Sequence, residues 1–114
     1  MRVNVVQREE MEQPEYQLVL EFHGDSPAEF EKVVAIQERL EGTLKNGEVD
    51  GNDVGKGIVN IFIVTKEPRR CFEEVMQHIG GDQPQPAAAG YRSLDEEEYK
   101  RLWPQGDSTT FELK

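Results

Sequence analysis

Residues 58–64, Ile-Val-Asn-Ile-Phe-Ile-Val, are the most apolar run in this 114-residue chain, and they narrow its structural options more than any other stretch. The run is short, rich in β-branched side chains and entered through glycine. It predicts a strand buried on both faces rather than a helix. The residues before it, 50–57, combine Gly51, Gly55 and Gly57 with Asp50, Asn52 and Asp53. Glycine tolerates positive φ, and short Asx side chains bond to their own backbone, so this segment reads as an acidic hairpin loop.

The remaining elements follow from periodicity and punctuation. Tyr16, Leu18, Leu20 and Phe22 alternate with Gln17, Val19, Glu21 and His23, which predicts a strand with one well-buried face. Ser26, Pro27 and Glu29 have the spacing of a capped helix start with a capping box. Phe30, Val33, Val34, Ile36 and Leu40 fall on one arc of that helix. Gln37 lies inside the arc and must be hydrogen-bonded or near its edge, and Gly42 is the expected stop. Residues 44–50 read as a short strand at a sheet edge. Thr65 and Pro68 introduce a second helix whose stripe is Cys71, Phe72, Val75, Met76 and Ile79, ended by Gly80 and Gly81. Residues 82–86 are a linker and residues 87–92 a fourth strand. Ser93-Leu94-Asp95-Glu96 repeats the capping-box spacing, which predicts a short helix through Tyr99 and Leu102 that Trp103-Pro104 closes. Thr109, Phe111 and Leu113 alternate as a last strand or strand-like tail.

Strand, helix, strand, strand, helix, strand is the order of a ferredoxin-like βαββαβ sandwich. The expected fold is therefore α+β, an antiparallel sheet with that order and a C-terminal helix/strand appendage. Its first and third strands would lie mid-sheet, and they are the most apolar ones. Residues 1–15 read as a mobile lead-in or edge strand, and residues 16–114 as a single α+β domain. Leu20, Phe62 and Val75 are expected to pack on one another.

Charge narrows the partners. The chain carries 23 acidic and 13 basic residues, a net charge of −10. That balance opposes nucleic acid, whose phosphates reward clustered Lys and Arg, and it opposes anionic membrane surfaces. It suits a basic protein surface, although solubility alone also explains such a charge. Cys71 is the single cysteine, so no internal disulfide forms. No apolar run approaches the ~20 residues of a membrane span, and the first residues lack a signal-peptide core. A cytoplasmic protein is expected.

Val49-Asp50-Gly51-Asn52-Asp53-Val54-Gly55, followed by Asn60-Ile61-Phe62-Ile63 and Thr65-x-x-Pro68, resembles a pattern in small bacterial proteins of unassigned function. Tyr91-Arg92 with Leu102-Trp103-Pro104 extends the likeness. The resemblance implies a compact bacterial α+β domain and no particular activity. By size and charge the chain is also loosely similar to the acidic immunity proteins that neutralise bacterial toxins.

Each candidate for chemistry has a plain alternative. Asp50, Asn52 and Asp53 suggest oxygen ligands for a hard cation, but Val54 occupies the third ligand position of a calcium loop and Ile61 its closing position. No metal is expected there; turn chemistry or a partner-binding loop is. Cys71, near Arg69 and Arg70, has the setting of an activated thiol, yet it shares the stripe of Phe72 and Val75 and reads as core. His23 and His78 read as rim residues. Asp95, Glu96, Glu97 and Glu98 suit either a helix N-terminus or an acidic docking patch. Trp103 suits an interface or a core plug. The sequence reading is thus a protein-interaction module, not an enzyme and without cofactor, that binds a basic protein or itself. Its candidate contacts are Asp50, Asn52, Asp53, Glu96, Glu97, Glu98 and Trp103. The alternative is a small-molecule-binding or enzymatic domain with a cleft near residues 50–57 and His23.

Overall fold

The two most apolar strands of the sequence pair directly with each other. The computed structural model describes residues 15–81, 83–104 and 111. In it β1 (Tyr16–His23) runs antiparallel to β3 (Ile58–Thr65) over their full lengths, from Tyr16 opposite Thr65 to His23 opposite Ile58. The other side of β1 pairs antiparallel with β4 (Ala88–Ser93). The edges are β2 (Glu48–Gly55) beside β3 and β5 (Lys100–Trp103) beside β4. The chain is therefore α+β, with a five-stranded antiparallel sheet ordered β2-β3-β1-β4-β5 and two helices, α1 (Pro27–Thr43) and α2 (Pro68–His78). Neither is long and apolar enough to cross a membrane.

Both helices cover one face. Leu18, Leu20 and Phe22 of β1 and Val59, Ile61 and Ile63 of β3 form one core with Val33, Ile36 and Leu40 of α1 and Cys71, Phe72 and Val75 of α2. The period-two alternation explains this set, because alternate side chains share a face. The other face is covered as well. Val19 and Ala88 are buried with Phe111, and Phe62 and Tyr99 pack against them. Glu21 and Asn60 are also buried on that face. Phe62 thus lies across the sheet from Leu20 and Val75, which corrects the expected trio. Within β3, Phe62 has the parity of Asn60 and not of Ile61.

The helix starts obey the sequence. Ser26 Oγ accepts the Glu29 amide at 3.2 Å, with Pro27 at the first helical position. The Glu29 carboxylate reaches back to the Asp25 amide at 3.2 Å instead of to Ser26. The helix passes Gly42 and ends at Thr43. Gln37 finds its partners in Glu41, at 3.1 Å, and in Asn52 of β2, at 2.7 Å.

Three expectations are corrected. Residues 50–55 are not a loop but most of β2, and the hairpin turns at Lys56 and Gly57, whose φ values are 56° and 76°. Two consecutive positive φ angles give a tight turn matched to strand twist, so no wider loop is needed. The expected strand at residues 44–50 begins only at Glu48. The expected helix after Ser93 is absent; a turn at Leu94 and Asp95 leads to β5 instead. Ser93 Oγ accepts the Asp95 amide at 3.2 Å, two residues on, which closes a local turn and not a helix cap. Residues 1–14 of the expected lead-in 1–15, and Thr109 and Leu113 of the tail alternation, lie outside the described residues.

Gly90 makes the second face possible. A Cβ there would sit 2.5 Å from a ring carbon of Phe111. Gly90→Ala should therefore cost about 1–3 kcal/mol, as overpacking does. On a Phe111→Ala background the same change should cost a small fraction of that, read from urea midpoints. Equal costs on both backgrounds would remove Phe111 from β4.

Candidate functional site

The residues expected to bind a partner divide into three environments. Asp50, Asn52 and Asp53 lie on edge strand β2 and are exposed, with a register shift between Val49 and Gly51. Asn52 is already engaged with Gln37, so its amide ties β2 to α1. Glu96, Glu97 and Glu98 lie in the β4–β5 connection and are exposed. Trp103 is half-buried in β5, packed against the main core with its ring 5.9 Å from that of Phe72.

The sheet does not bring the two acidic groups together. Their edges are four strand spacings apart, roughly 19 Å at about 4.8 Å each. They also lie at opposite ends of the strands. Asp53 stands opposite Asn60, and Asn60 opposite Glu21, whereas the β4–β5 connection leaves from Ser93, opposite Tyr16. They form two corners, not one patch.

The β4–β5 connection is the better defined corner, because buried-side bonds hold it while its acidic side chains face outward. The Arg92 guanidinium donates to the Glu96 carbonyl at 2.7 Å, to the Ser93 carbonyl at 3.2 Å and to Gln17 Oε1 at 3.3 Å. Tyr99 donates its hydroxyl to the same Gln17 oxygen at 2.5 Å, and the guanidinium carbon of Arg92 lies 5.8 Å from the Tyr99 ring centre. The Leu94 amide bonds the Glu15 carbonyl at 3.0 Å. Leu94 itself is 43 % exposed, and on the other corner Val54 is 51 % exposed. The sequence pointed to neither apolar residue. A single exposed Leu inside a capping-box spacing carries no signal of its own.

Concavities lie at the far end of the sheet from the β2–β3 turn. One is lined by Thr43, Lys45, Asn46, Glu74, Gln77 and His78 among others, a second by Lys45, Gly47, Val64, Thr65 and Lys66, and a third by Tyr16, Lys66, Arg69, Arg70 and Tyr91. None of these three touches residues 50–57 or His23, so the expected cleft is not where they are. His23 is exposed.

The titratable groups at that end serve the fold. Cys71 is fully buried. Burial pushes its thiol up to about 11; the hydrogen bond with Thr65 opposes this and the Glu74 carboxylate adds to it. A thiol so protonated is a poor nucleophile. Glu74 accepts the Lys45 amide at 2.8 Å, the Asn46 amide at 3.0 Å and the Asn46 side-chain amide at 3.1 Å. His78 Nε2 lies 3.7 Å from the same carboxylate. Desolvation acts to raise the Glu74 pKa, but these three N–H donors and His78 together hold it below its ordinary 4.5. Among the described residues no group of three or more His, Cys, Asp or Glu is arranged to hold a metal ion.

Glu74 makes a prediction with a definite sign. A carboxyl that titrates lower when folded stabilises fully above its ordinary pKa, and the benefit is lost as pH falls through the folded value. Glu74→Gln should cost about 1–3 kcal/mol near pH 7, because a charged acceptor of several bonds is lost. The difference in Tm from wild type should shrink on acidification below about pH 4. A difference independent of pH would show that the charge of Glu74 plays no part.

Comparison of the chain with family models, with curated proteins and with solved structures finds no match.

Proposed function

We propose that this chain is a cytoplasmic, non-enzymatic protein-interaction module that captures a basic protein partner through its β4–β5 connection. One observation carries the reading. Among the described residues, the exposed large apolar side chains are Val54 and Leu94, and each adjoins an acidic group. An apolar anchor ringed by charge is the arrangement of an interface, with desolvated contact at the centre and a polar rim. Leu94 with Asp95, Glu96, Glu97 and Glu98 is favoured over Val54 because Arg92, Tyr99 and Gln17 hold its loop in place. Preorganisation lowers the entropy lost on binding.

The scaffold reading that accompanies this is the ferredoxin-like sandwich. It is supported by the βαββαβ order of the first six elements and by β1 and β3 lying inside the sheet. The fifth strand, added beyond β4, is what departs from that four-stranded pattern. The loose likeness to acidic immunity proteins supports a basic bacterial toxin as partner, and a second copy of the chain is the alternative occupant. Asp50, Asn52, Asp53 and Trp103 take a secondary part in this reading, the first three at the other corner and Trp103 at the end of β5.

Association kinetics with a partner recovered by pull-down test the proposal. Complementary charge acts mainly on the association rate, and salt screens it. Replacing Glu96, Glu97 and Glu98 together by Gln should slow association and flatten its dependence on salt. Leu94→Ser should leave association nearly unchanged and speed dissociation by roughly tenfold, the effect of about 1.4 kcal/mol lost from an apolar contact. Association independent of salt, with both variants binding as wild type does, would overturn the reading.

A further inference from the structure

Between the end of α1 at Thr43 and the start of β2 at Glu48, residues 44–47 cross over the first turns of α2. The Leu44 amide bonds back to the Leu40 carbonyl at 3.1 Å, but the main-chain bonds of Lys45 and Asn46 go to side chains of other elements. The Lys45 and Asn46 amides and the Asn46 side chain all end on the Glu74 carboxylate of α2. The Asn46 carbonyl accepts the hydroxyl of Thr65, whose oxygen in turn accepts the Glu67 amide at 3.0 Å. The crossing therefore rests on two side chains, Glu74 and Thr65.

What lies beneath it is Cys71. A Cβ on Gly47 would be 2.7 Å from Cys71 Sγ and 2.9 Å from a methyl of Ile63, so the bare backbone of Gly47 lies directly on the thiol. Cys71 is fully buried. On either side of the crossing the surface is hollow. The cavity along α2 holds about 360 Å³ and the one along β3 about 410 Å³, and Lys45 and Asn46 line both. Lys45 and Asn46 are thus the residues the two hollows share.

We propose that residues 44–47 form a releasable strap: Glu74 latches it over Cys71, and its local opening uncovers the thiol and joins the two flanking cavities into one cleft. The strap is suited to this because its attachments are few and peripheral. The central pairing of β1 with β3 and β4 includes none of its bonds. Segments with few buried contacts open at a smaller free energy than the global one. Leu44 remains packed against the core and serves as one end of the hinge.

Labelling of the native protein by a small maleimide tests this, with Cys71 as the sole thiol. In wild type the rate should be insensitive to low urea, the mark of local opening, since a small opening exposes little surface. Glu74→Ala should raise the rate by tenfold or more, as expected from charge-assisted bonds lost. That increase should match the loss of global stability of the same variant, because the Glu74 bonds are absent from the opened and the unfolded chain alike, whereas Gly90→Ala, on the opposite face of the sheet, should lower global stability and leave labelling unchanged. Glu73→Gln, on the same helix and exposed, should label as wild type does. The proposal is overturned if wild-type labelling rises with urea as steeply as global unfolding does. It is equally overturned if Gly90→Ala speeds labelling in proportion to its loss of stability, or if Glu74→Ala leaves labelling unchanged. The urea dependence of wild type decides the matter even if the alanine variant does not fold.

Discussion

Everything in this fold hangs on β1. It is hydrogen-bonded on both sides, to β3 and to β4, and buried on both faces. Leu18, Leu20 and Phe22 meet the helices, while Val19 and Glu21 lie under the opposite cover. A strand enclosed on four sides cannot slip by one residue without exchanging its faces, so its register fixes that of β3 and β4. Of the helices, α1 leads from β1 to the edge strand β2, and α2 joins β3 to β4, the two neighbours of β1. The helices can cover only the face where the apolar parity of β1 and β3 coincides.

The same arrangement leaves the periphery free for other uses. β2 is an edge strand, and edges attract unwanted pairing. Here Glu48, Asp50 and Asp53 and the irregular register at Asp50 discourage it. The acidity of residues 50–53 therefore has an explanation in protecting the edge, which is why the interaction reading rests on the other corner. There the loop is held by Arg92, and its carboxylates are not needed to build it. A group that the fold does not use is the better candidate for a partner. At the far end the logic is reversed, since Glu74 and Thr65 are consumed in holding residues 44–47 over Cys71.

Much of the scaffold was legible in the sequence, for reasons that can be stated residue by residue. The β1 alternation, the Ser26-Pro27 helix start and the Cys71 stripe are local signals read at their own periods, and all three elements are present. Cys71 as core also followed from position on an arc. The failures came where one residue type serves two backbones. Gly51, Asn52 and Asp53 suit a loop, yet β3 recruits them as an edge strand, because pairing outweighs weak intrinsic preference. Ser93 suits a helix cap or a turn, and Arg92, by donating to the Ser93 and Glu96 carbonyls, selects the turn. Phe62 was assigned to the wrong face because Ile58 to Val64 is apolar but for Asn60, and that one polar residue, which shares the parity of Phe62, makes no alternation. Of the site, the acidic residues were visible, but Leu94 and the distance between the two corners depend on strand order, which no local pattern encodes.

Residue-resolved amide hydrogen exchange is the most direct test of β1 as the organising strand. Amides of Leu18, Leu20, Ile61 and Ile63 should exchange only with global unfolding, at a common free energy equal to that from denaturant titration. Amides of β2 from Asp50 to Gly55 should exchange faster, by fraying at the edge. If β1 exchanges ahead of global unfolding, or if β2 is as protected as β1, the sheet is not centred where this account places it.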